Sequence, residues 1–118
     1  MRVLLVEDEP FIALDLELLV AGAGHEVVGV AQDTTQALAM ARDQRPEAAL
    51  IDVNLKDGMT GPAICRTLCF DHGVRAAFVT GNDEHVPADR AGALAVVQKP
   101  FNDRQVAEVL RLLDGRAA

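Results

Sequence analysis

Polar side chains follow four apolar runs of the sequence, at the points where the runs end. Two acidic residues, Glu7 and Asp8, follow the first run, and Asp52 follows a run of four aliphatic or alanine residues. Thr80 and Lys99 stand at the ends of two later runs. A carboxylate at the end of a buried strand lowers stability unless it has hydrogen-bond or charge partners. Carboxylates, a hydroxyl and an ammonium group together suit phosphoryl transfer, which needs a nucleophile, cations and in-line positioning.

Each of these signals also has a simpler explanation. Asp52 could cap the turn that follows it, and an acidic pair before a helix is often favoured only by the helix dipole. A threonine at the end of a strand often reflects β-propensity alone, and a lysine before a proline is usually solvated. It is their joint placement at the ends of strands in one sheet that favours a site.

The elements that must position these residues alternate along the chain. Apolar runs predict strands over residues 2–6, 27–31, 47–53, 74–80 and 94–98. Signals for the start of a helix lie at Pro10, at Thr34 or Thr35, at Gly61-Pro62 and at Asn102 or Asp103. The residues at helical spacing in the first helix are Phe11, Leu14, Leu18 and Leu19. Segment 83–93 contains Pro87 and few apolar residues, which predicts a short or mobile fourth helix.

This alternation predicts a doubly wound α/β fold with a five-stranded parallel sheet. Right-handed crossovers favour the flavodoxin-like strand order 2-1-3-4-5, with the site at the carboxyl ends of the strands. Because adjacent strands lie about 4.8 Å apart, Glu7, Asp8 and Asp52 should be close neighbours that require a cation. Lys99 can offset one charge, and Mg²⁺ suits the remainder because it prefers oxygen ligands.

Length, composition and charge limit the function further. The 118 residues fit one domain over 1–118, with a core from residue 2 to about 114 and no separate output domain. Eleven basic and eighteen acidic residues give a net charge of −7, which argues against direct binding of nucleic acid or an anionic membrane. With neither a membrane span nor a signal-peptide pattern, a cytoplasmic protein is expected. Cys65 and Cys69 are expected to be reduced core thiols.

These residues resemble a known family. The set Glu7-Asp8, Asp52, Thr80 and Lys99-Pro100 resembles the receiver domain of bacterial two-component response regulators, and the resemblance extends from residue 3 to about residue 113. It implies that Asp52 accepts a phosphoryl group from the phosphohistidine of a histidine kinase or histidine phosphotransferase. The changed surface, around segment 83–93, the fifth strand and the last helix, would regulate an unknown downstream protein. We expect a monomer or a weak dimer.

The resemblance also implies individual roles. Asp8 and Asp52 would bind Mg²⁺ directly, with Glu7 acting through water and Asn54 contributing its backbone carbonyl. Lys99 would pair with the carboxylate of Asp52 and then with the phosphoryl oxygens. Thr80 would hydrogen-bond one of those oxygens after moving inward, while Asn54, Gly81 and Asn82 would modulate hydrolysis. The bond between Lys99 and Pro100 is expected to be cis. Catalysis would be limited to self-catalysed transfer to Asp52 and its autodephosphorylation, so the chain is not expected to be an enzyme.

Several positions depart from the usual receiver pattern. Leu55-Lys56 stands where receivers often have Met-Pro, and Asp57-Gly58 follows early, so the loop after the third strand should differ in shape. Val96 replaces an aromatic residue that often moves with the threonine, which leaves Thr80 and segment 83–93 as the expected route of the signal. The stretch Phe78-Val79-Thr80-Gly81 is similar to the Phe-Ala-Thr-Gly motif of a stand-alone alphaproteobacterial subgroup.

Three other functions remain alternatives. A pseudo-receiver would bind partners without phosphorylation, although the intact acceptor and acidic pair argue against it. A phosphate sink would drain a shared kinase. A hydrolase of the haloacid-dehalogenase type would usually have a second aspartate two residues after the nucleophile, where Asn54 stands.

Overall fold

The computed structural model describes residues 1–115, which form five strands and four helices. The strands are β1 (Arg2–Val6), β2 (Glu26–Ala31), β3 (Ala48–Ile51), β4 (Arg75–Thr80) and β5 (Ala95–Gln98). The helices are α1 (Pro10–Gly22), α2 (Thr34–Gln44), α3 (Gly61–His72) and α4 (Asp103–Leu113). None of the helices between residues 1 and 115 has the length and apolar character to span a membrane.

The strands form one parallel sheet in the order β2-β1-β3-β4-β5. Leu5 of β1 lies beside Leu50 of β3, which in turn lies beside Ala77 of β4. The predicted flavodoxin-like topology is therefore confirmed. Because the strands are parallel, the residues that follow β1, β3, β4 and β5 all reach the same edge of the sheet.

The core lies on both faces of this sheet, and alternate residues of a strand reach opposite faces. Leu4 and Val6 of β1 join the cluster under α2 and α3, whereas Val3 and Leu5 join the cluster under α1 and α4. All four side chains are fully buried. Burial on both faces explains why the central strands are continuous aliphatic runs and not alternating ones.

Side-chain caps determine where three of the helices begin, and Glu9 caps α1 by accepting a 3.0 Å hydrogen bond from the N–H of Ile12. Asp33 caps α2, in place of the predicted Thr34 or Thr35, because its carboxylate accepts a 2.9 Å hydrogen bond from the N–H of Gln36. Aspartate and threonine both cap helices, so residue type alone does not choose between neighbours. At α4 the predicted cap Asn102 is confirmed, with reciprocal bonds to the third helical residue.

The fourth helix predicted over 83–93 is absent from the described chain, and that prediction is wrong. The segment contains two single 3₁₀ turns, Asp83–His85 and Arg90–Gly92. Pro87 lies between them, and a proline cannot continue the hydrogen bonding of a helix. Arg90 and Ala91 have φ values of +55° and +51°, in the left-handed region that does not extend a right-handed helix. Ala91 is fully buried, so this irregular segment is anchored in the core.

Helix α1 turns a different face to the core than its most obvious apolar residues indicate. Phe11, Leu14 and Leu18 are 80%, 52% and 65% exposed. The buried residues are the smaller set Ala13, Leu16 and Val20. The helix is apolar around most of its circumference, so the spacing of apolar residues identifies the helix but not its buried face.

Candidate functional site

Asp52 is the first residue beyond β3, and the sheet still fixes its backbone. Its N–H donates a 2.9 Å hydrogen bond to the carbonyl of Val6, so the end of β1 lies directly beside it. The residue is 8% exposed, and Oδ1 of the carboxylate accepts a 2.7 Å hydrogen bond from the N–H of Val53. The candidate acceptor thus lies, nearly buried, at the carboxyl edge of the sheet.

Lys99 reaches the same place from the far side of β4. Its N–H donates to the carbonyl of Thr80 at 2.9 Å, and its peptide bond to Pro100 is cis. The Nζ atom lies 2.8 Å from Oδ2 of Asp52 and 2.7 Å from Oε1 of Glu7. One ammonium group therefore bridges carboxylates from the ends of β1 and β3. The sequence predicts the contact with Asp52 but not the contact with Glu7.

Three carboxylates meet at this edge of the sheet. Ligand oxygens of Glu7, Asp8 and Asp52 all lie within 4.8 Å of one another. Burial raises the pKa of Glu7; the hydrogen bond from Lys99 opposes that shift, and the charge of Asp52 adds to it. Burial alone would lower the pKa of Lys99, but its hydrogen bonds to Asp52 and Glu7 raise the pKa above its ordinary value.

This donor set fits a hard divalent cation. When all three carboxylates are ionised, their summed charge exceeds that of the Lys99 ammonium group, so the cluster stays negative. Glu7 and Asp52 are almost buried, whereas Asp8 is partly exposed and accessible to an ion from solvent. Carboxylate oxygens at this spacing are the ligands that Mg²⁺ prefers.

Thr80 ends β4 and is fully buried. Its hydroxyl oxygen accepts a 3.0 Å hydrogen bond from the N–H of Asn82, so this side chain fixes the turn that follows the strand. A Cβ atom at Gly81 would meet nothing within 4 Å, and space therefore does not require glycine there. The roles of these three residues toward a phosphoryl group stay predictions.

The loop from β3 to α3 contains a tight turn directly after Asn54. Leu55 and Gly58 exchange two backbone hydrogen bonds of 2.8 and 3.0 Å. Gly58 has a φ of +110°, which favours glycine. The early Asp57-Gly58 pair thus has a local structural meaning, because it forms the second half of this turn.

Sequence reasoning places Asp57 in this loop and Gly61 at the start of a helix, but it identifies neither their contacts nor the part that Thr60 plays. The carboxylate of Asp57 accepts hydrogen bonds from the N–H of Thr34 at 3.0 Å and from the hydroxyl of Thr60 at 2.6 Å. These bonds, led by the one from Thr60, lower the pKa of Asp57 to about 2. The available signal was an aspartate and a threonine three residues apart, each followed by a glycine.

Gly61 is required by its close approach to the acceptor. A Cβ atom at this position would lie 2.0 Å from the carbonyl oxygen of Asp52 and 2.7 Å from Cα of Val53. The N–H of Gly61 donates a 3.0 Å hydrogen bond to the carbonyl of Val53. The first residue of α3 therefore packs directly on the backbone that carries the candidate acceptor.

Comparisons with known proteins agree with this geometry. The family model described as "Response regulator receiver domain" matches residues 3–111. The phyllosphere-induced regulator PhyR of Methylorubrum extorquens is 37% identical over 92% of this chain and 42% of its own length. The DNA-binding response regulator MtrA of Mycolicibacterium smegmatis is 34% identical over 93% of this chain and 49% of its own length. The chain thus spans about half the length of these curated relatives.

Solved structures show the same similarity. The solution structure of the Erythrobacter litoralis PhyR receiver domain superposes with a TM-score of 0.87 at 32% identity, covering 95% of this chain and 88% of that one. The crystal structure of PhyR from Brucella abortus gives a TM-score of 0.84 at 34% identity, over 92% of this chain and 45% of that one. With the acidic cluster, the bridging lysine and the sheet order in place, the chain belongs to the response regulator receiver domain family.

Proposed function

We propose that the protein is a phosphorylation-dependent switch in which Asp52 accepts a phosphoryl group from the phosphohistidine of a histidine kinase or histidine phosphotransferase. The observation that carries this proposal is the position of the Asp52 carboxylate, nearly buried and held by Lys99 beside Glu7 and Asp8. Burial of a carboxylate near other negative charges destabilises the fold, so its presence at this position favours a functional role.

In the proposed reaction a carboxylate oxygen of Asp52 forms a bond to phosphorus as the bond from phosphorus to the imidazole nitrogen of the donor breaks. The imidazole nitrogen keeps the electron pair and takes a proton from solvent. Lys99 already lies 2.8 Å from the acceptor and supplies positive charge for the phosphoryl oxygens. The buried hydroxyl of Thr80 accepts a hydrogen bond from the N–H of Asn82 in the resting protein. After phosphorylation it would turn and donate a hydrogen bond to a phosphoryl oxygen.

Asp8 and Asp52, with the backbone carbonyl of Asn54, would hold Mg²⁺, and Glu7 would act through water. The ion supplies positive charge against the phosphoryl oxygens when it is bound. Glu7 has a second task, because its carboxylate holds Lys99 at 2.7 Å and so fixes the ammonium group next to the acceptor. No catalysis beyond transfer to Asp52 and autodephosphorylation is proposed.

The test is incubation of the protein with Mg²⁺ and a small phosphodonor such as phosphoramidate, followed by intact mass measurement. We expect the mass of one phosphoryl group on the wild-type protein and no addition to Asp52→Asn. Transfer from a phosphorylated histidine kinase or phosphotransferase should follow the same pattern. A wild-type protein that takes no phosphoryl group from either donor would overturn the proposal in favour of a phosphorylation-independent binding module.

A further inference from the structure

The turn after Asn54 is held from outside the loop as well as from within. Its two internal hydrogen bonds join Leu55 and Gly58, and the N–H of Lys56 donates a 3.1 Å bond to the carbonyl of Gln32. Gln32 lies just before α2, so the tip of the turn rests against the start of that helix. The backbone at the tip is thus fixed to the residues that lead into α2.

Asp57 makes the second and stronger connection. One carboxylate oxygen accepts from the N–H of Thr34, the first residue of α2, and the other accepts from the hydroxyl of Thr60, the residue before α3. Hydrogen bonds to an ionised acceptor are roughly twice as strong as neutral ones, and the positive end of the α2 dipole favours this negative charge. One side chain therefore joins the amino ends of two helices to the turn.

Thr60 has this contact in place of an ordinary capping bond. It occupies the N-cap position of α3 but makes no side-chain hydrogen bond to that helix. Its hydroxyl is instead 2.6 Å from Asp57. Directly after it, Gly61 packs on the carbonyl of Asp52. The main chain between Asp52 and Gly61 is consequently held at its start, at its tip and at its end, with Asn54 in between.

We propose that Asp57 is a positioning residue for the phosphoryl-transfer site: through Thr60 and Thr34 it holds the loop that contains Asn54, whose backbone carbonyl would be a ligand of the cation. This inference rests on the proposed function, because it assigns Asn54 to the cation. Groups that orient ligands without touching the ion usually affect affinity, and a site must be held to within about 0.5 Å to work well. The same residue explains why Asp57-Gly58 follows the acceptor so closely in sequence.

Four variants separate positioning from charge. Asp57→Asn removes a charge and one of the two oxygens that accept hydrogen bonds, whereas Thr60→Val removes one hydrogen bond and leaves the charge. Thr60→Ser keeps the hydroxyl and should restore the wild-type behaviour. Asp43→Asn is the matched control, since Asp43 is an exposed carboxylate bound to Arg42 on α2 and not to the loop.

Each variant is titrated with Mg²⁺ by NMR of its backbone amides, and its phosphorylation rate is measured at limiting and saturating Mg²⁺. We expect Asp57→Asn and Thr60→Val each to raise the Mg²⁺ dissociation constant by about 10-fold. This is the lower end of the range for groups that orient metal ligands without touching the ion. The rate at limiting Mg²⁺ should fall by the same factor and recover at saturation. Asp43→Asn and Thr60→Ser should match the wild type.

Four outcomes overturn the inference. Unchanged Mg²⁺ affinity in both Asp57→Asn and Thr60→Val, with lower stability to urea, would make the contact merely structural. A loss in Asp57→Asn alone would assign the effect to charge. A wild-type protein that binds no Mg²⁺ and takes no phosphoryl group would reject the proposed function together with this inference, whereas phosphorylation of Asp52 with unaffected variants would reject the inference alone.

Discussion

At the scale of single residues, Lys99 carries the electrostatic balance of the site. Its ammonium group lies within 2.8 Å of carboxylates that directly follow two strands, and all three side chains are largely buried. Removing one partner from a buried ion pair leaves an uncompensated charge, which costs more than the pair itself contributes. The same lysine is therefore needed for the stability of the resting protein and, on the proposed function, also for phosphoryl transfer.

We expect Lys99→Met to lower the free energy of unfolding at pH 7 by about 2 kcal/mol, less than for a fully buried pair because Lys99 is partly exposed. Because Lys99 has a raised pKa in the folded protein, its contribution is complete below its ordinary pKa of 10.5 and is lost as the pH rises through the folded-state pKa. Urea unfolding of both proteins from pH 7 to 11 measures this. A difference that stays constant over that range would contradict the assignment.

Gly61 offers a steric test at the same scale. Gly61→Ala places a Cβ atom 2.0 Å from the carbonyl oxygen of Asp52, so the backbone of α3 or of the acceptor must move. We expect a loss of about 3 kcal/mol in unfolding free energy and slower phosphorylation of Asp52. Gly22→Ala is the control, because a Cβ atom there meets nothing within 4 Å. Equal stability of the two variants would show that α3 can shift without cost.

The sequence allowed the site residues to be predicted only where each follows a recognisable strand. Asp52 and Lys99 could be brought together in this way, because strand order and direction determine which residues share an edge. The pair between Lys99 and Glu7 depends on a side-chain rotamer, which no strand pattern specifies. Gly61 could not be distinguished from an ordinary helix start, because its role depends on its close approach to the backbone of Asp52, which local sequence does not specify.

At the scale of elements, α1 presents an apolar outer face. Phe11, Leu14 and Leu18 recur at spacings of three and four residues on its exposed side. Ile12 and Asp15 of the same helix join Lys99, Pro100 and Phe101 in lining a pocket of about 350 Å³. On the proposed function, a phosphodonor protein seated on this apolar face would lie beside the pocket that Lys99 lines.

We therefore expect Leu14→Ala to weaken phosphotransfer from a histidine kinase or phosphotransferase by about 10-fold, the effect of truncating a well-packed interface residue. Phosphorylation by phosphoramidate should be unchanged, since a small donor needs no docking face. Phe70→Ala on α3 is the control, because Phe70 is also an exposed apolar residue, at 69%. If Leu14→Ala slowed both donors equally, the helix would act on the chemistry and not on docking.

Segment 83–93 shows why one element could not be predicted. Its composition indicates weak helix formation, but the observed path depends on tertiary contacts: Ala91 is buried, and Arg66 of α3 forms two hydrogen bonds of 3.0 and 3.3 Å with Asp89. Such contacts stabilise a left-handed backbone at Arg90 and Ala91 that local sequence would not select. The strands could be predicted because continuous apolar runs in the local sequence specify them, without knowledge of tertiary contacts.

We also expect phosphorylation to change the conformation of this segment. If Thr80 turns its hydroxyl to a phosphoryl group, the N–H of Asn82 loses its 3.0 Å bond just before the segment begins. Phosphorylation, or a beryllofluoride mimic, should then change amide hydrogen exchange in residues 82–93. Thr80→Val should remove this change while Asp52 is still phosphorylated. Unchanged exchange in the phosphorylated wild-type protein would exclude this route.

At the scale of the whole molecule, the cation site and the fold should be thermodynamically linked. The carboxylates that would hold Mg²⁺ follow β1 and β3, which lie at the centre of the sheet, so the site exists only when the sheet is formed. An ion that binds the folded state alone stabilises it by an amount set by its concentration and affinity. The net charge of −7 adds a general salt effect that must be separated from this.

We expect Mg²⁺ at 100 times its dissociation constant to raise the free energy of unfolding by about 2.7 kcal/mol. Asp8→Asn should lose most of this gain, because it removes a carboxylate that would bind the ion directly. Asp8 is the partly exposed member of the three carboxylates, and Lys99 pairs with the other two. Measurements at equal ionic strength in NaCl remove the effect of screening, and Asp43→Asn controls for the loss of one exposed negative charge. Stabilisation that is equal in NaCl, or equal in Asp8→Asn, would mean that Mg²⁺ acts on the net charge of the molecule and not at the carboxyl edge of the sheet.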